Sequence, residues 1–193
     1  MNQEIEIEFK NLLTEEEYKN LRNAYFTAEE APFSQTNHYF DTPDFLLKQH
    51  GSALRIRKKK DRFVLTLKQP LESGLLETHQ TLTSDQADAA LTISILPSGD
   101  VLEQIQKTLE VQQTSFAYLG SLSTDRLEKE VDGGLLVLDK STYVNVTDYE
   151  LEFECAEESA GKKAFFSLLE KHGIKEKQTI SKIHRFYEQL HKL

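Results

Sequence analysis

Residues 52–69, SALRIRKKKDRFVLTLKQ, alternate apolar and polar side chains in two runs divided by a charged turn. In the first run Leu54 and Ile56 face one way and Arg55, Arg57 and Lys59 the other. In the second, Leu65 and Leu67 oppose Thr66 and Lys68. A period of two is the signature of a β-strand, so the stretch reads as a hairpin turning near Lys60-Asp61-Arg62.

The same alternation recurs on either side. Residues 4–10 set Glu4, Glu6, Glu8 and Lys10 against Ile5, Ile7 and Phe9. Further strands are expected near 35–41, 75–82, 114–121, 124–131, 135–143 and 147–155, with Asp132-Gly133-Gly134 as a hairpin turn. Thr14-Glu-Glu-Glu17 and Thr83-Ser-Asp-Gln86 have the form of capping boxes and open helices. Val101, Leu102, Ile105 and Leu109 give a further helical stripe. Phe165, Phe166, Leu168 and Leu169 mark a helix stopping near Gly173, and Ile180, Ile183, Phe186, Tyr187 and Leu190 mark a last one.

Antiparallel strands with inserted helices predict an α+β fold, and about eight strands allow an eight-stranded antiparallel β-barrel without exposed edges. No composition shift divides the 193 residues, so a single domain over 1–193 is expected.

Composition narrows the function. A net charge of −9 argues against nucleic acid or an anionic membrane as partner. One cysteine, Cys155, excludes an intrachain disulfide or a CxxC metal site. The opening residues MNQEIEIEFK have no signal-like apolar run, and no segment has the ~20 apolar residues of a spanning helix. A soluble cytoplasmic protein, monomer or homodimer, is the expectation.

The sign of charge differs from strand to strand. Arg55, Arg57 and Lys59 share a face on one strand; Glu150, Glu152 and Glu154 share a face on another, against Tyr149, Leu151 and Phe153. Same-face neighbours sit ~7 Å apart, so like charges there repel unless opposite charge lies between them. The simpler reading is a set of solvated outer faces. The sharper one puts both sets on inward faces of one barrel. Carboxylates then suit hard cations such as Mg²⁺ or Mn²⁺, and Arg and Lys suit phosphate oxygens.

Glu6-Ile-Glu8-Phe-Lys10 resembles the ExExK signature of the CYTH family, the triphosphate tunnel metalloenzymes. An ordered series supports the resemblance: His38-Tyr-Phe-Asp-Thr42, Leu54-Arg55-Ile-Arg57, Leu65-Thr-Leu-Lys68, Tyr149-Glu150-Leu-Glu152 and Ser181-Lys182-Ile-His-Arg185. Glu77, Arg126 and Asp139 fall where the family has single charged residues. The series spans residues 6–185, nearly the whole chain.

The resemblance implies an eight-stranded antiparallel barrel with a charged interior and helices packed outside. It implies Mg²⁺ or Mn²⁺ as cofactor and a small-molecule triphosphate as substrate. Carried over by position, Glu6, Glu8, Asp139, Glu150 and Glu152 would be metal ligands, with Glu152 and Glu154 as the other candidate pair on the late strand. Lys10, Arg55, Arg57, Lys68, Arg126, Lys182 and Arg185 would hold phosphate, Arg185 equally fitting a cap at the barrel mouth. Catalytic roles fall to Glu8, Glu77, Lys68 and Lys182, with Glu77 on a second metal or a water. Thr124 stands where the family has a basic residue, so one phosphate contact is expected to be missing. The proposed set is seven basic and six acidic residues, a net of +1, which leaves the remainder of the chain at −10.

The activity implied is metal-dependent hydrolysis of inorganic triphosphate or a small organic triphosphate. A class IV adenylyl cyclase and a non-catalytic polyphosphate-binding module are the alternatives. Simpler roles are expected for His38 (structural), for His79, His172, His184 and His191 (surface), for Cys155 (a small buried hydrophobe) and for Lys58-Lys59-Lys60 (a solvated strand end). Lys182 and Arg185 can also be the wet face of an ordinary helix, and Arg126 a partner of Glu128 or Glu130.

Overall fold

A computed structural model describes residues 2–111 and 115–190. Eight antiparallel strands close into a barrel in the order β1-β5-β4-β3-β2-β6-β7-β8. They are β1 (Asn2–Leu13), β2 (Phe33–Asp41), β3 (Ala53–Lys59), β4 (Arg62–Pro70), β5 (Leu75–Leu82), β6 (Ala117–Val131), β7 (Gly134–Tyr143) and β8 (Val146–Cys155). The helices are α1 (Glu15–Tyr25), α2 (Leu46–Gln49), α3 (Ser84–Ile93), α4 (Asp100–Leu109), α5 (Glu158–Lys171) and α6 (Lys182–Leu190).

Local chemistry sets the boundaries. Thr14 and Thr83 form the capping boxes their sequences predict, each accepting from the backbone N–H three residues on. In the β6–β7 turn, Gly133 adopts φ +89°, a conformation open to glycine and costly for other residues. Two expectations change. The runs near 114–121 and 124–131 are one strand, β6, from Ala117; residue 114 lies outside the described residues. Ile180 precedes α6 and is exposed, so the helix's apolar face begins at Ile183.

The contacts divide the chain into two compact units. One contains the start of β1 to Ile5 with Gln35–Ser121; the other contains Glu6–Ser34 with Leu122–Leu193. Each has its own apolar core between the outer faces of its strands and its helices. In the first, Phe40, Leu54, Ile56, Leu65 and Leu67 pack with Ala87, Ala90, Val101 and Ile105. In the second, Leu127, Leu136, Leu138, Leu151 and Phe153 pack with Tyr18, Leu21, Phe165, Leu168 and Leu169.

Gly161 lets α5 approach β8: a Cβ there would lie 2.1 Å from Cys155 Sγ. Because the apolar strand faces lie under helices, the charged faces turn to the barrel interior. Among the described residues, no helix is long and apolar enough to cross a membrane.

Candidate active site and metal centre

Hairpin register builds the charged cluster of the second unit. Across β6, β7 and β8, Arg126 stands opposite Asp139, and Asp139 opposite Glu150. Across β1 and β8, Lys10 stands opposite Glu152, and Glu8 opposite Glu154. The Arg126 guanidinium forks onto Asp139, Nε donating to Oδ1 and Nη2 to Oδ2, both at 2.7 Å. The same Nη2 donates to Glu152 Oε2 at 2.6 Å. Arg126 Nη1 lies farther from Glu128 Oε1, at 3.8 Å.

Lys182, the first residue of α6, brings its ammonium into this group. Nζ lies 2.8 Å from Asp139 Oδ2, 2.6 Å from Glu150 Oε1 and 2.5 Å from Glu152 Oε1. Asp139 and Glu150 have no solvent exposure. Buried carboxylates are tolerated only with countercharge, which Lys182 and Arg126 provide. Burial would lower both cations' proton affinity; the surrounding carboxylates outweigh it and hold both well above their ordinary values.

The late-strand carboxylates differ from one another. Burial pushes Glu150 up, against the pull of Lys182. Glu152 feels the same burial, but Lys182 and Arg126 overcome it and hold it well below the usual carboxylate range. Burial, then the charge of Glu6, raises Glu154 to about 7. Lys10 pairs with Glu8; burial would lower it, yet Glu8, Glu152 and Glu150 together raise it.

The first unit holds a second cluster. Lys68 stands opposite Glu77, and Thr66 opposite His79. Glu77 is buried, ion-paired with Lys68 and 3.9 Å from Arg55 Nη2. His79 Nε2 is 3.0 Å from Glu4 Oε1 and 3.4 Å from Glu77 Oε2, while Nδ1 is 3.0 Å from Thr66 Oγ1. One ligand atom each from Glu4, Glu77 and His79 lies within 4.8 Å of the others, a grouping able to hold a metal ion. Arg57 Nε donates to Asn37 Oδ1 at 3.0 Å.

The sequence-derived candidates thus fall into two sets. Glu8, Lys10, Arg126, Asp139, Glu150, Glu152, Lys182 and Arg185 occupy the second unit with Glu6, which acts on Glu154. Arg55, Arg57, Lys68 and Glu77 occupy the first. Thr124 is buried and shares a hydrogen bond with Ser141, so it adds no charge. Lys58, Lys59 and Lys60 are exposed, as a solvated strand end should be.

Sequence reasoning missed His79, assigned to the surface but held in the Glu4–Glu77 cluster because it sits two residues beyond Glu77 on the same face of β5. His172 is half-buried against the Tyr25 hydroxyl, and His184 is exposed. His191 lies outside the described residues. Asp148, two before Glu150 on the same face of β8, was missed as well; strand alternation carried the signal in both cases.

Comparison with known proteins places these residues in a family context. A CYTH domain model matches residues 4–187. The Bacillus subtilis (strain 168) protein named "Putative triphosphatase YjbK" is 48% identical over 192 residues, covering 100% of this chain and 99% of that protein. A crystal structure of a Bacillus halodurans protein described as a "putative adenylate cyclase" superposes with a TM-score of 0.91 at 42% identity, covering 97% of this chain and all of that one. The Hippeastrum protein HpAC1, described as a "putative adenylyl cyclase" with a dominant triphosphatase activity, superposes at 0.77 with 26% identity, covering 96% of each.

Proposed function

The chain belongs to the CYTH domain family, and on that premise we propose that it is a metal-dependent triphosphatase acting on inorganic triphosphate or a small organic triphosphate. The observation that carries this reading is the convergence of Asp139, Glu150 and Glu152 on one ammonium, that of Lys182, with Arg126 forked into Asp139. Three carboxylates around a single cation have the donor chemistry of a hard divalent ion site.

A second observation supports the fit. Glu8 stands directly opposite Glu154, and Glu6 adds its charge to the same carboxyl. Like charges across a strand pair destabilise a sheet, and a divalent cation relieves that repulsion. In this reading Glu6, Glu8, Asp139, Glu150 and Glu152 hold Mg²⁺ or Mn²⁺. The bound metal would supply charge neutralisation at the phosphate oxygens.

The chain's own residues do the rest. Lys10, Arg126 and Lys182 present positive charge from the second unit; Arg55, Arg57 and Lys68 carry the family's phosphate-binding role in the first. Holding phosphate oxygens on fixed cations orients the terminal phosphorus for in-line attack. Glu77 is the carboxylate assigned to orient water and accept its proton, and Glu8 acts as a metal ligand. The water oxygen bonds to the terminal phosphorus as the bridging P–O bond breaks, releasing phosphate and diphosphate. No covalent enzyme intermediate enters.

The test is a turnover panel of tripolyphosphate, thiamine triphosphate, ATP and GTP, each with Mg²⁺ and with Mn²⁺. Phosphate release is the expected result. Cyclic AMP with pyrophosphate from ATP would replace this reading with a cyclase. Tight binding without turnover would replace it with a polyphosphate-binding module.

A further inference from the structure

We propose that Arg185 is a positioning residue for Glu150, kept in that role by Asp148 and Tyr143, rather than a grip on the substrate. The inference rests on the triphosphatase reading, in which Glu150 is a metal ligand.

The guanidinium is already committed to protein. Nε donates to Asp148 Oδ2 at 2.9 Å, and Nη1 donates to the Ile180 carbonyl at 2.6 Å. Nη2 lies 2.5 Å from Glu150 Oε2. A guanidinium that grips phosphate offers two parallel N–H groups from one edge. Here Nε and Nη1 are hydrogen-bonded to protein oxygens, Nη2 is ion-paired with Glu150, and the residue is buried.

Asp148 fixes the direction of that engagement. Its Oδ2 accepts both the Arg185 Nε–H and, at 2.8 Å, the Tyr143 hydroxyl. Tyr143 and Asp148 lie at the β7–β8 turn, where Tyr143 pairs with Val146 and Ser141 with Asp148. Burial and the Asp148 charge push the Tyr143 phenol up to about 12, so it remains a donor. The arm therefore runs from the turn through Asp148 to Arg185 on α6, and from there to Glu150.

At Glu150 the two oxygens meet cations on different sides, Oε1 hydrogen-bonded by Lys182 and Oε2 ion-paired with Arg185. A ligand carboxylate fixed in this way keeps its orientation for a metal. Partners that orient metal ligands typically cost ~10–100-fold in metal affinity when removed.

The experiment measures Mn²⁺ affinity by electron paramagnetic resonance without substrate. Alongside it, KM for tripolyphosphate is measured at saturating Mn²⁺, and each variant's folding is checked by circular dichroism. Asp148→Asn and Arg185→Lys should weaken Mn²⁺ binding by ~10-fold or more. Each should keep KM within about two-fold of wild type once metal is saturating, because uniform substrate binding is untouched. Tyr143→Phe, which loses only a hydroxyl, should shift Mn²⁺ affinity in the same direction by a smaller factor, and it stands as the test if the other variants do not fold.

Unchanged Mn²⁺ affinity with a raised KM would overturn the proposal and return Arg185 to the phosphate. Wild type that binds Mn²⁺ but releases no phosphate would overturn the triphosphatase reading alone. Wild type that does neither would overturn both.

Discussion

The ammonium of Lys182 lies 2.8 Å from Asp139 Oδ2, and Asp139 is wholly buried. With Glu150 and Glu152 on the same ammonium, Lys182 shares with Arg126 the countercharge for three carboxylates. Removing it leaves uncompensated buried charge. Lys182→Met should therefore destabilise the metal-free protein by about 3–5 kcal/mol in urea unfolding. Added Mn²⁺ should recover more stability in the variant than in wild type, because the vacated carboxylates bind the cation without competition. Equal recovery in both proteins would contradict the account.

Arg126 meets Asp139 through a planar fork that a lysine does not reproduce. Arg126→Lys keeps the charge and loses the bidentate geometry. Charge-assisted hydrogen bonds are worth about 1.5–3 kcal/mol each. The expected loss in kcat/KM for tripolyphosphate is about 10–100-fold, measured at saturating metal.

Glu154 gives a pH dependence with a definite sign. Its carboxyl is raised to about 7 by burial and by Glu6, from an ordinary value of 4.5. Below about pH 4.5 it is protonated in folded and unfolded chains alike and contributes nothing. As pH rises towards 7 the unfolded chain ionises first, so the folded state loses stability, and the loss is complete above about 7. Glu154→Gln should raise the stability of metal-free protein by about 1–2 kcal/mol at pH 8, allowing for the side chain's partial exposure, and leave it nearly unchanged at pH 4.5. Thermal denaturation at the two pH values checks this; a stabilisation confined to pH 4.5 would reverse the assignment.

Gly161 tests the outer packing separately from the charged interior. Alanine in a helix normally gains about 1 kcal/mol over glycine. Here the new Cβ would meet Cys155 Sγ at 2.1 Å and Cys155 Cβ at 2.7 Å. Gly161→Ala should lose about 1–3 kcal/mol instead. Cys155→Ala in the same chain should restore part of it, with catalytic constants unchanged in whatever fraction is folded.

Much of this arrangement was legible in the sequence because it is local. Alternation marked the strands, and the Thr14 and Thr83 boxes marked two helix starts. Hairpin turns carried register as well: the Val131–Gly134 pairing at the Asp132-Gly133 turn dictates that Arg126 faces Asp139. Charge segregation on strand faces, joined to the family motif series, then supplied the candidate site.

What was not legible depends on contacts distant along the chain. Nothing near Lys182 announces Asp139, Glu150 and Glu152, since α6 reaches them only through the fold. The single bond from Arg126 to Glu152 and the engagement of Arg185 by Asp148 are of the same kind. The continuity of β6 was lost because the polar residues around Ser121, Ser123 and Thr124 read locally as a break. His79 was missed for a different reason. Histidine takes either role, and its partner Glu4 lies 75 residues away.

In the proposed function the carboxylates of the ExExK strand serve metal-dependent triphosphate hydrolysis. The most direct measurement is phosphate release from tripolyphosphate with Mg²⁺ or Mn²⁺, compared between wild type and the Glu6→Gln/Glu8→Gln double variant. Wild type should release phosphate in a metal-dependent way, and the folded double variant should lose most of that activity. Equal activity in the two proteins would contradict it.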